Sequence, residues 1–206
     1  MATFNGWDIV VMPTEPSAPA TVEYSAIDTV AVSVSPFTGQ QQTQDWQASF
    51  MEASVSMPTL THSQAQEWIA FLMSLRGQAK IFQLGDPLAV SPRGSGLGTP
   101  LVDGAGQKGY SIALKGWTPG AVGVLLPGDW IQIGYRIYRS LAIATADGAG
   151  KLVLSIWPQL REPPADGDAV TLNNTKGLWR LKTNERKWSL TESRYYGMQF
   201  EIREAR

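Results

Sequence analysis

Between residues 61 and 77 the apolar positions recur every three or four residues, which is the spacing of one helical face. The members of this stripe are Ala65, Trp68, Ile69, Leu72 and Leu75. Thr61 or Ser63 can cap the first turn, each with a glutamine three residues later as in a capping box. Gly77 suits the position that follows a last helical turn. The pattern predicts a helix over residues 62–76, and no other segment of the chain has this spacing.

The segments before the helix alternate apolar and polar residues instead, which is typical of β-strands. Residues 20–36 are rich in β-branched side chains and place Val30, Val32 and Val34 on one face. This alternation predicts one half-buried strand. The polar, glutamine-rich residues 38–44 predict a loop. Residues 4–19 contain three prolines and predict an extended arm, either disordered or packed along a neighbouring element.

The segment that leads into the helix, residues 45–57, predicts a long strand. Its apolar positions change parity along the way, from Trp46 and Phe50 on one side to Val55 on the other. A change of face within a strand indicates a bulge or bend, which we place near residues 51–52.

The chain beyond the helix changes character twice. After a short strand at residues 80–84, nine of the sixteen residues at 85–100 are Gly, Pro or Ser, which predicts a linker. Short strands separated by Gly-containing turns then predict a small barrel. These strands are expected at residues 109–114, 129–134, 137–144, 151–157 and 168–172.

The last thirty residues return to longer alternating strands, at residues 179–181, 188–190 and 198–202. They resemble the N-terminal strands more than the barrel strands. We therefore predict one β domain made of residues 1–88 and 174–206, interrupted by an inserted barrel at residues 89–173.

Composition and charge exclude several classes of protein. The 206 residues include no cysteine, so disulfides, thiol nucleophiles and thiolate metal sites are absent. No apolar run reaches 18 residues, so no membrane insertion is expected. Net charge is only −1, but residues 1–75 hold seven acids and no Lys or Arg, whereas residues 176–206 hold eight bases and four acids. The charges either scatter over solvated loops or form one acidic and one basic surface, through which copies could pair or an acidic wall could face nucleic acid without binding it. No basic stripe is concentrated enough to predict a nucleic-acid-binding protein.

Individual motifs predict no catalytic, cofactor or metal site. Residues 104–109 match the G-x-G-x-x-G phosphate pattern, but a strand follows them where a phosphate loop needs a helix, so a glycine-rich turn is expected. The single histidine, His62, falls in the first helical turn without an evident triad. Asp147, Asp166 and Asp168 lack the ordered oxygen ligands of a calcium loop. The sequence therefore indicates a protein that is not an enzyme.

Two stretches carry a family resemblance. One is residues 104–114, Gly-Ala-Gly-Gln-Lys-Gly-Tyr-Ser-Ile-Ala-Leu, and the other runs from the Gly-Asp-Trp of residues 128–130 to the Trp-Pro-Gln-Leu of residues 157–160. The chain closes with Tyr-Gly-Met-Gln-Phe-Glu-Ile-Arg-Glu at residues 196–204. In this order and spacing they resemble the distal tail proteins of long-tailed, non-contractile bacteriophages (siphophages), in the form with an added OB-fold domain.

The resemblance implies a mainly β fold, in which a tail-tube-like β-sandwich or split barrel with one helix carries an inserted OB-fold-like barrel. It implies a homohexameric ring in the virion, at the distal end of the tail, with the tail tube protein above and baseplate hub or tail tip proteins below. DNA would pass through the lumen, which we expect the acidic N-terminal half to line. The inserted barrel would decorate the outside of the ring, and no cofactor is implied.

The helix has a structural role in this interpretation. Trp68 is expected in the core, whereas Phe71 and Met73 lie off the main apolar stripe and are expected to contact a neighbouring subunit. Two alternatives remain open. A carbohydrate-binding or host-surface-binding module of the tail tip would expose barrel tryptophans, and a tail-tip hydrolase would need a pair of carboxylates.

Overall fold

The computed structural model of the protein describes residues 2–16, 18–192 and 194–206. Within them, 41% of residues lie in strands and 8% are helical, with one α-helix, which confirms a mainly β fold. The helix α1 spans His62–Ser74. The strands are β1 (Thr3–Phe4), β2 (Trp7–Val10), β3 (Thr21–Ile27), β4 (Val30–Val34), β5 (Gln41–Asp45), β6 (Phe50–Ser56), β7 (Ile81–Leu84), β8 (Gly98–Val102), β9 (Ser111–Trp117), β10 (Trp130–Ile133), β11 (Arg136–Ser140), β12 (Leu152–Trp157), β13 (Val170–Thr171), β14 (Gly177–Leu181), β15 (Trp188–Leu190) and β16 (Tyr196–Glu204).

These strands form three sheets in the described part of the chain. The large sheet has the order β1-β2-β7-β14-β16-β6-β3, with β15 also paired to β16, and it curves into a half-barrel. The small sheet has the order β13-β10-β11-β12-β9-β8. A bridge between Leu101 and Ala169 joins its two edges, so it forms a near-barrel. The third sheet is the hairpin of β4 and β5.

Helix α1 covers one face of the large sheet. Its buried stripe consists of Ala65, Trp68, Ile69, Phe71 and Leu72. The stripe packs against alternate residues of β6 and β16, among them Val55, Phe200 and Ile202. The Gln64 side chain accepts a hydrogen bond of 3.1 Å from the Thr61 backbone N–H, as expected of a capping box. The predicted helix is therefore confirmed, although it ends two residues earlier, at Ser74.

The prediction that Phe71 contacts a neighbouring subunit is wrong. Only 5% of its surface is exposed, and its ring makes edge contacts with Trp68 and Phe82 of the same chain. The side chain is thus part of the core and is not available to a neighbouring subunit. Met73, by contrast, is more than half exposed, as expected from its position off the stripe. The apolar face of the helix is wider than a strict stripe, which explains the error for Phe71.

The small sheet lies between β7 and β14 in the chain order, and these two strands are hydrogen-bonded neighbours. Leu84, the last residue of β7, pairs with Gly177, the first residue of β14. The chain therefore leaves and re-enters the large sheet at adjacent positions. Gly85 is required at this crossing because a Cβ atom there would lie 2.1 Å from the carbonyl oxygen of Thr175.

The strands before the helix differ from their prediction. Residues 20–36 do not form one half-buried strand, because β3 belongs to the large sheet and β4 belongs to the exposed hairpin. The predicted loop at residues 38–44 is largely β5. The chain bends at Gln47, whose φ is +53°, and β6 then keeps one parity throughout, so the change of face does not occur at residues 51–52.

Other differences are smaller. The N-terminal residues form β1 and β2, and β2 runs parallel to β7, so this arm packs along its own sheet. The predicted linker at residues 85–100 already contains the start of β8. The three C-terminal strands are confirmed, but β14 and β15 both pair with β16, so they do not form a simple meander.

Candidate interaction surfaces

The residues that could suggest chemistry are held by ordinary structural contacts. His62 is exposed at the start of α1, and its Nδ1 lies 3.1 Å from the Tyr196 hydroxyl. Asp147 accepts hydrogen bonds from the backbone N–H groups of Ala149 and Lys151, which closes a turn. Among the residues that the structure describes, no group of three or more His, Cys, Asp or Glu side chains is placed to hold a metal ion.

The glycine-rich loop at residues 104–109 is a turn, as predicted, because β9 follows it directly. The Gln107 side chain ties this turn to β9 through hydrogen bonds in both directions with the backbone of Ala113. Asp166 accepts a hydrogen bond of 2.5 Å from Lys115, and this bond holds the pKa of Asp166 below its usual value. Asp166 also accepts a hydrogen bond of 2.8 Å from the backbone N–H of Gly104, so the loop is tied down by side chains of the protein itself.

The face of the large sheet opposite α1, hereafter the open face, carries a network of charges. Glu52 accepts a hydrogen bond of 2.7 Å from Nε of Arg203 and forms an ion pair of 2.9 Å with Lys182. Lys182 also reaches Glu201 at 3.3 Å. Burial alone would raise the pKa of Glu52, but the hydrogen bonds from Lys182 and Arg203 outweigh it and lower this pKa. The open face is therefore polar and internally neutralised.

One end of the open face is covered by the N-terminal strands. Trp7 lies over the guanidinium of Arg180, with 4.2 Å between the ring centroid and Cζ. Burial lowers the pKa of this arginine, and its Nε and Nη2 have no hydrogen-bond partner among the residues that the structure describes. A small apolar cluster around Leu178 and Ile81 continues beneath the cover. The exposed part of the open face therefore lies over β3, β6, β16 and β14.

The two larger sheets are joined by packed side chains. Trp130 and Ile137, which belong to the small sheet, are buried in the same core as α1. The Trp130 Nε1 donates to Asp86 at 3.2 Å, and the guanidinium of Arg139 stacks on the Trp130 ring at 3.9 Å.

A buried ion pair adds a second link between the sheets. Arg161 donates to both carboxylate oxygens of Glu204, at 2.9 and 2.7 Å, and both side chains are more than nine-tenths buried. Bidentate pairs of this kind fix orientation as well as distance. Buried side-chain contacts therefore hold the small sheet against the large sheet, in addition to the two chain crossings.

The β4–β5 hairpin projects from the large sheet with every residue of both strands exposed. Val30, Val32 and Val34 share one face with their cross-strand partners, which are Asp45, Thr43 and Gln41. The three valines are 45%, 59% and 53% exposed. Phe37 at the tip is 96% exposed. Only the base is tied down, where Trp157 Nε1 donates to Asp28 at 2.9 Å and Gln159 donates to the Gln47 carbonyl.

A second exposed surface is a groove of about 860 Å³ beside β16, in which polar side chains such as Glu185, Lys187 and Glu201 accompany apolar ones that are mostly buried. It lies where β14 has ended and β15 begins, so that the central part of β16 lacks a full partner strand on this side. Its apolar lining includes Met57, Leu181, Met198, Phe200 and Trp188. Trp188 and Leu190 of β15 are 41% and 62% exposed. We refer to this region as the β15 groove.

Neither of these two exposed surfaces was predicted from the sequence. The valine alternation was correctly seen as β structure, but it was assigned a buried face. The available signal was the partner strand, Gln41-Gln42-Thr43-Gln44-Asp45, which is polar at both parities, so the face that carries the valines also carries Gln41, Thr43 and Asp45. The β15 groove arises from the interruption between β14 and β15, which depends on tertiary pairing and leaves no local pattern.

Comparisons with known proteins give no further identification. The chain matches no protein-family model and no curated protein sequence. In the part of the chain that the structure describes, no helix has the length and apolar character needed to cross a membrane.

Proposed function

We propose that this chain is a distal tail protein of a long-tailed, non-contractile bacteriophage, and that it forms a ring joining the tail tube to the tail tip. The observation that carries the proposal is the arrangement of the two larger sheets. A near-barrel lies in the chain between β7 and β14, which are neighbours in a curved sheet that a single helix covers. This is the arrangement that the sequence resemblance implies, and it is independent of the short motifs that carry the resemblance.

We further propose that residues 1–88 and 174–206 form the ring, with residues 89–173 as an OB-fold-like barrel on its outside. The chemistry of the open face supports an orientation toward the lumen. Its bases Lys182 and Arg203 are neutralised by Glu52 and Glu201, and Glu23 on β3 adds a further exposed acid. A lumen with this surface presents no free basic stripe to DNA phosphates, so DNA can pass without being retained.

The partners in this proposal are proteins. The ring would contact further copies of this chain, the tail tube protein above and the hub or tip proteins below, in the virion. We propose no catalytic activity; Asp147 closes a turn, and the His62 ring contacts the Tyr196 hydroxyl.

A carbohydrate-binding module is the second candidate, and the barrel tryptophans weigh against it. Trp117 and Trp130 are 3% and 4% exposed, and Trp157 is half-buried with its Nε1 bonded to Asp28. A sugar platform requires an exposed aromatic face. Quenching of tryptophan fluorescence by mono- and oligosaccharides tests this alternative, and we expect no quenching.

The ring itself is tested by native mass spectrometry and negative-stain electron microscopy of the purified chain. We expect a closed ring with about six times the 22.4 kDa chain mass. Gold-labelled antibody to the chain should bind tails of the phage that encodes it at one end only. A 22.4 kDa species at every concentration, together with tails that bind no antibody, would refute the proposal.

A further inference from the structure

We propose that a cavity between the two larger sheets binds the phosphate group of a small molecule through the guanidinium groups of Arg93 and Arg139. This junction cavity has a volume of about 410 Å³. Its lining comes from residues within 86–93 and 127–130, together with Arg139 and Leu172. Ring formation needs no ligand in this cavity, so the two proposals can fail separately.

Two arginines from different parts of the chain converge at the junction cavity. A Cβ atom on Gly128 would lie 3.5 Å from Nη2 of Arg93 and 3.7 Å from Nη1 of Arg139, so both nitrogens lie close to the same point. Arg93 donates from Nε to Asp129 and from Nη2 to the Pro127 carbonyl, and Arg139 donates from Nη1 to the Gly128 carbonyl at 3.0 Å. Within the described residues, Nη1 of Arg93 and both Nε and Nη2 of Arg139 have no hydrogen-bond acceptor.

Both guanidinium groups are held in position by the chain itself. The Arg139 guanidinium stacks on the Trp130 ring, with 3.9 Å between Cζ and the ring centroid. Arg93 is anchored twice to Oδ1 of Asp129, by its backbone N–H at 3.0 Å and by its Nε at 3.2 Å. Donors that are ordered in advance lose little conformational freedom when a ligand binds, so this arrangement favours binding.

The carboxylate of Asp129 does not compete with a ligand for these donors. Its side chain is 2% exposed, and its Oδ2 accepts hydrogen bonds from the backbone N–H groups of Gly94 and Leu126, at 3.0 and 2.8 Å. Burial alone would raise the pKa of Asp129, but the hydrogen bonds from Leu126, Gly94 and Arg93 outweigh it and lower this pKa. Asp129 is therefore saturated by donors of the chain and serves to position Arg93.

Asp86 compensates the charge of Arg139 only in part. Its Oδ1 accepts a hydrogen bond of 3.0 Å from the backbone N–H of Leu88, and its Oδ2 accepts one of 3.2 Å from Nε1 of Trp130. Nη2 of Arg139 lies 3.9 Å from Oδ2 of Asp86, which is too far for a hydrogen bond. Burial lowers the pKa of Arg139 and outweighs the opposing effect of Asp86. A bound anion would stabilise the charged form of this arginine.

The arrangement of the donors favours a phosphate group over a carboxylate. A carboxylate has two oxygens in one plane, which a single guanidinium fork can satisfy. Here two guanidinium groups approach from separate segments, and a phosphate presents three or more oxygens around a tetrahedral centre. The junction cavity is larger than a phosphate group, and Leu88, Pro92 and Leu172 add apolar surface to it. The remaining space admits an organic group attached to the phosphate.

Calorimetric titration of the purified full chain tests the ligand class with four probes at one ionic strength: phenyl phosphate, inorganic phosphate, phenol and benzoate. We expect phenyl phosphate to bind, phenol not to bind, and benzoate to bind at least about tenfold more weakly. Tighter binding of phenyl phosphate than of inorganic phosphate would identify an ester as the ligand, and equal binding would identify the free anion. Failure of both phosphates to bind, or equal binding of benzoate and phenyl phosphate, would overturn the proposal.

Substitutions test the two donors. Arg139→Gln removes the stacked guanidinium, and Arg93→Gln removes the other while the backbone N–H of residue 93 can still bond to Asp129. We expect each to weaken phenyl phosphate binding at least about tenfold, because each removes charge-assisted hydrogen bonds. Arg76→Gln, at an exposed position outside the cavity, should bind as the unsubstituted chain does. Equal affinities in all three variants would overturn the proposal.

The thermal midpoint of each variant in phosphate-free buffer shows whether it folds. Should R139Q not fold, R93Q decides the test, since its side chain is more exposed.

The place of binding can be followed at the indole N–H of Trp130, which lies beneath Arg139. Its signal in a proton–nitrogen correlation spectrum is the indole signal that Trp130→Phe removes. We expect phenyl phosphate to shift this signal more than that of Trp68, which is buried under α1 and is assigned in the same way by Trp68→Phe. Shifts confined to indole signals other than that of Trp130 would place the ligand elsewhere and overturn the proposal.

Discussion

The two faces of the large sheet are made by alternate residues of the same strands, yet they are completed in opposite ways. On one face, Ala53, Val55 and Ile202 are sealed by α1, and packing of large side chains supplies the stability. On the other face, the buried carboxylate of Glu52 is neutralised by the partly exposed Arg203 and Lys182, and this charge balance keeps the surface compatible with water. A period-two pattern therefore determines which residues share a face of the sheet, but not what covers that face.

The largest effect is expected from Trp68→Ala on the covered face. Trp68 is 2% exposed, packs against Phe71 and Phe200, and donates from Nε1 to the Glu15 carbonyl at 2.9 Å. Removal of the ring should lower the free energy of unfolding by about 3–5 kcal/mol, measured by urea denaturation followed by circular dichroism.

Trp46→Ala is the matched control for that measurement, because Trp46 in the described structure is 60% exposed. Its loss should change the free energy of unfolding by less than about 0.5 kcal/mol. Equal losses for the two variants would contradict the assignment of Trp68 to the main core.

A slightly smaller effect is expected from Phe71→Ala. The ring contacts Trp68 and Phe82 at centroid distances of 5.6 and 5.4 Å, so its removal leaves a cavity at the centre of the covered face. We expect a loss of about 3–4 kcal/mol in the free energy of unfolding. Met73→Ala, on the exposed side of the same helix, should cost less than about 0.5 kcal/mol. A Phe71 variant of unchanged stability that fails only in assembly would restore the subunit-contact interpretation.

The smallest effect, and the only one that depends on pH, is expected on the open face from Glu52→Gln. The folded-state pKa of Glu52 is lowered, so its ion pairs stabilise the fold above the unfolded-state pKa of about 4.3 and lose this effect as pH falls through the lower folded-state value. At pH 7 we expect E52Q to lose on the order of 1 kcal/mol, because Lys182 and Arg203 are partly exposed.

The difference in unfolding free energy between E52Q and the unsubstituted chain should narrow as the pH falls below about 4.3 and should then vanish. Glu67→Gln, at an exposed position of α1, controls for the loss of one negative charge. A difference for E52Q that stays constant from pH 7 to pH 2 would contradict the role of the Glu52 carboxylate.

Local sequence patterns were sufficient to predict the helix and strands whose apolar side is buried. The helix was predicted because its stripe, cap and terminal glycine agree, and the C-terminal strands because their alternation reflects real burial in β14 and β16. The hairpin was misassigned because its Val30–Val34 alternation is locally the same as that of a buried strand. An exposed strand and a buried strand differ in whether another layer packs on them, and the residues of the strand itself do not show this.

The candidate surfaces were less predictable than the fold. The sequence showed that acids and bases are separated along the chain. It did not show that Lys182 and Arg203 would be neutralised by Glu52, because these residues are far apart in the chain and meet only across paired strands. The β15 groove depends on the same long-range pairing.

The pairing of Leu84 with Gly177 also has a mechanical consequence. A force applied to the small sheet would reach the large sheet at two adjacent residues at one end of the β7–β14 ladder. In that geometry the hydrogen bonds are loaded one after another, as in a zipper, rather than together in shear. The Arg161–Glu204 pair bridges the same junction further along the ladder, beside Trp179, and the buried Trp130 bridges it next to Asp86 at the crossing. The resistance of the junction to pulling would therefore come mainly from these side chains, and only secondarily from the backbone ladder.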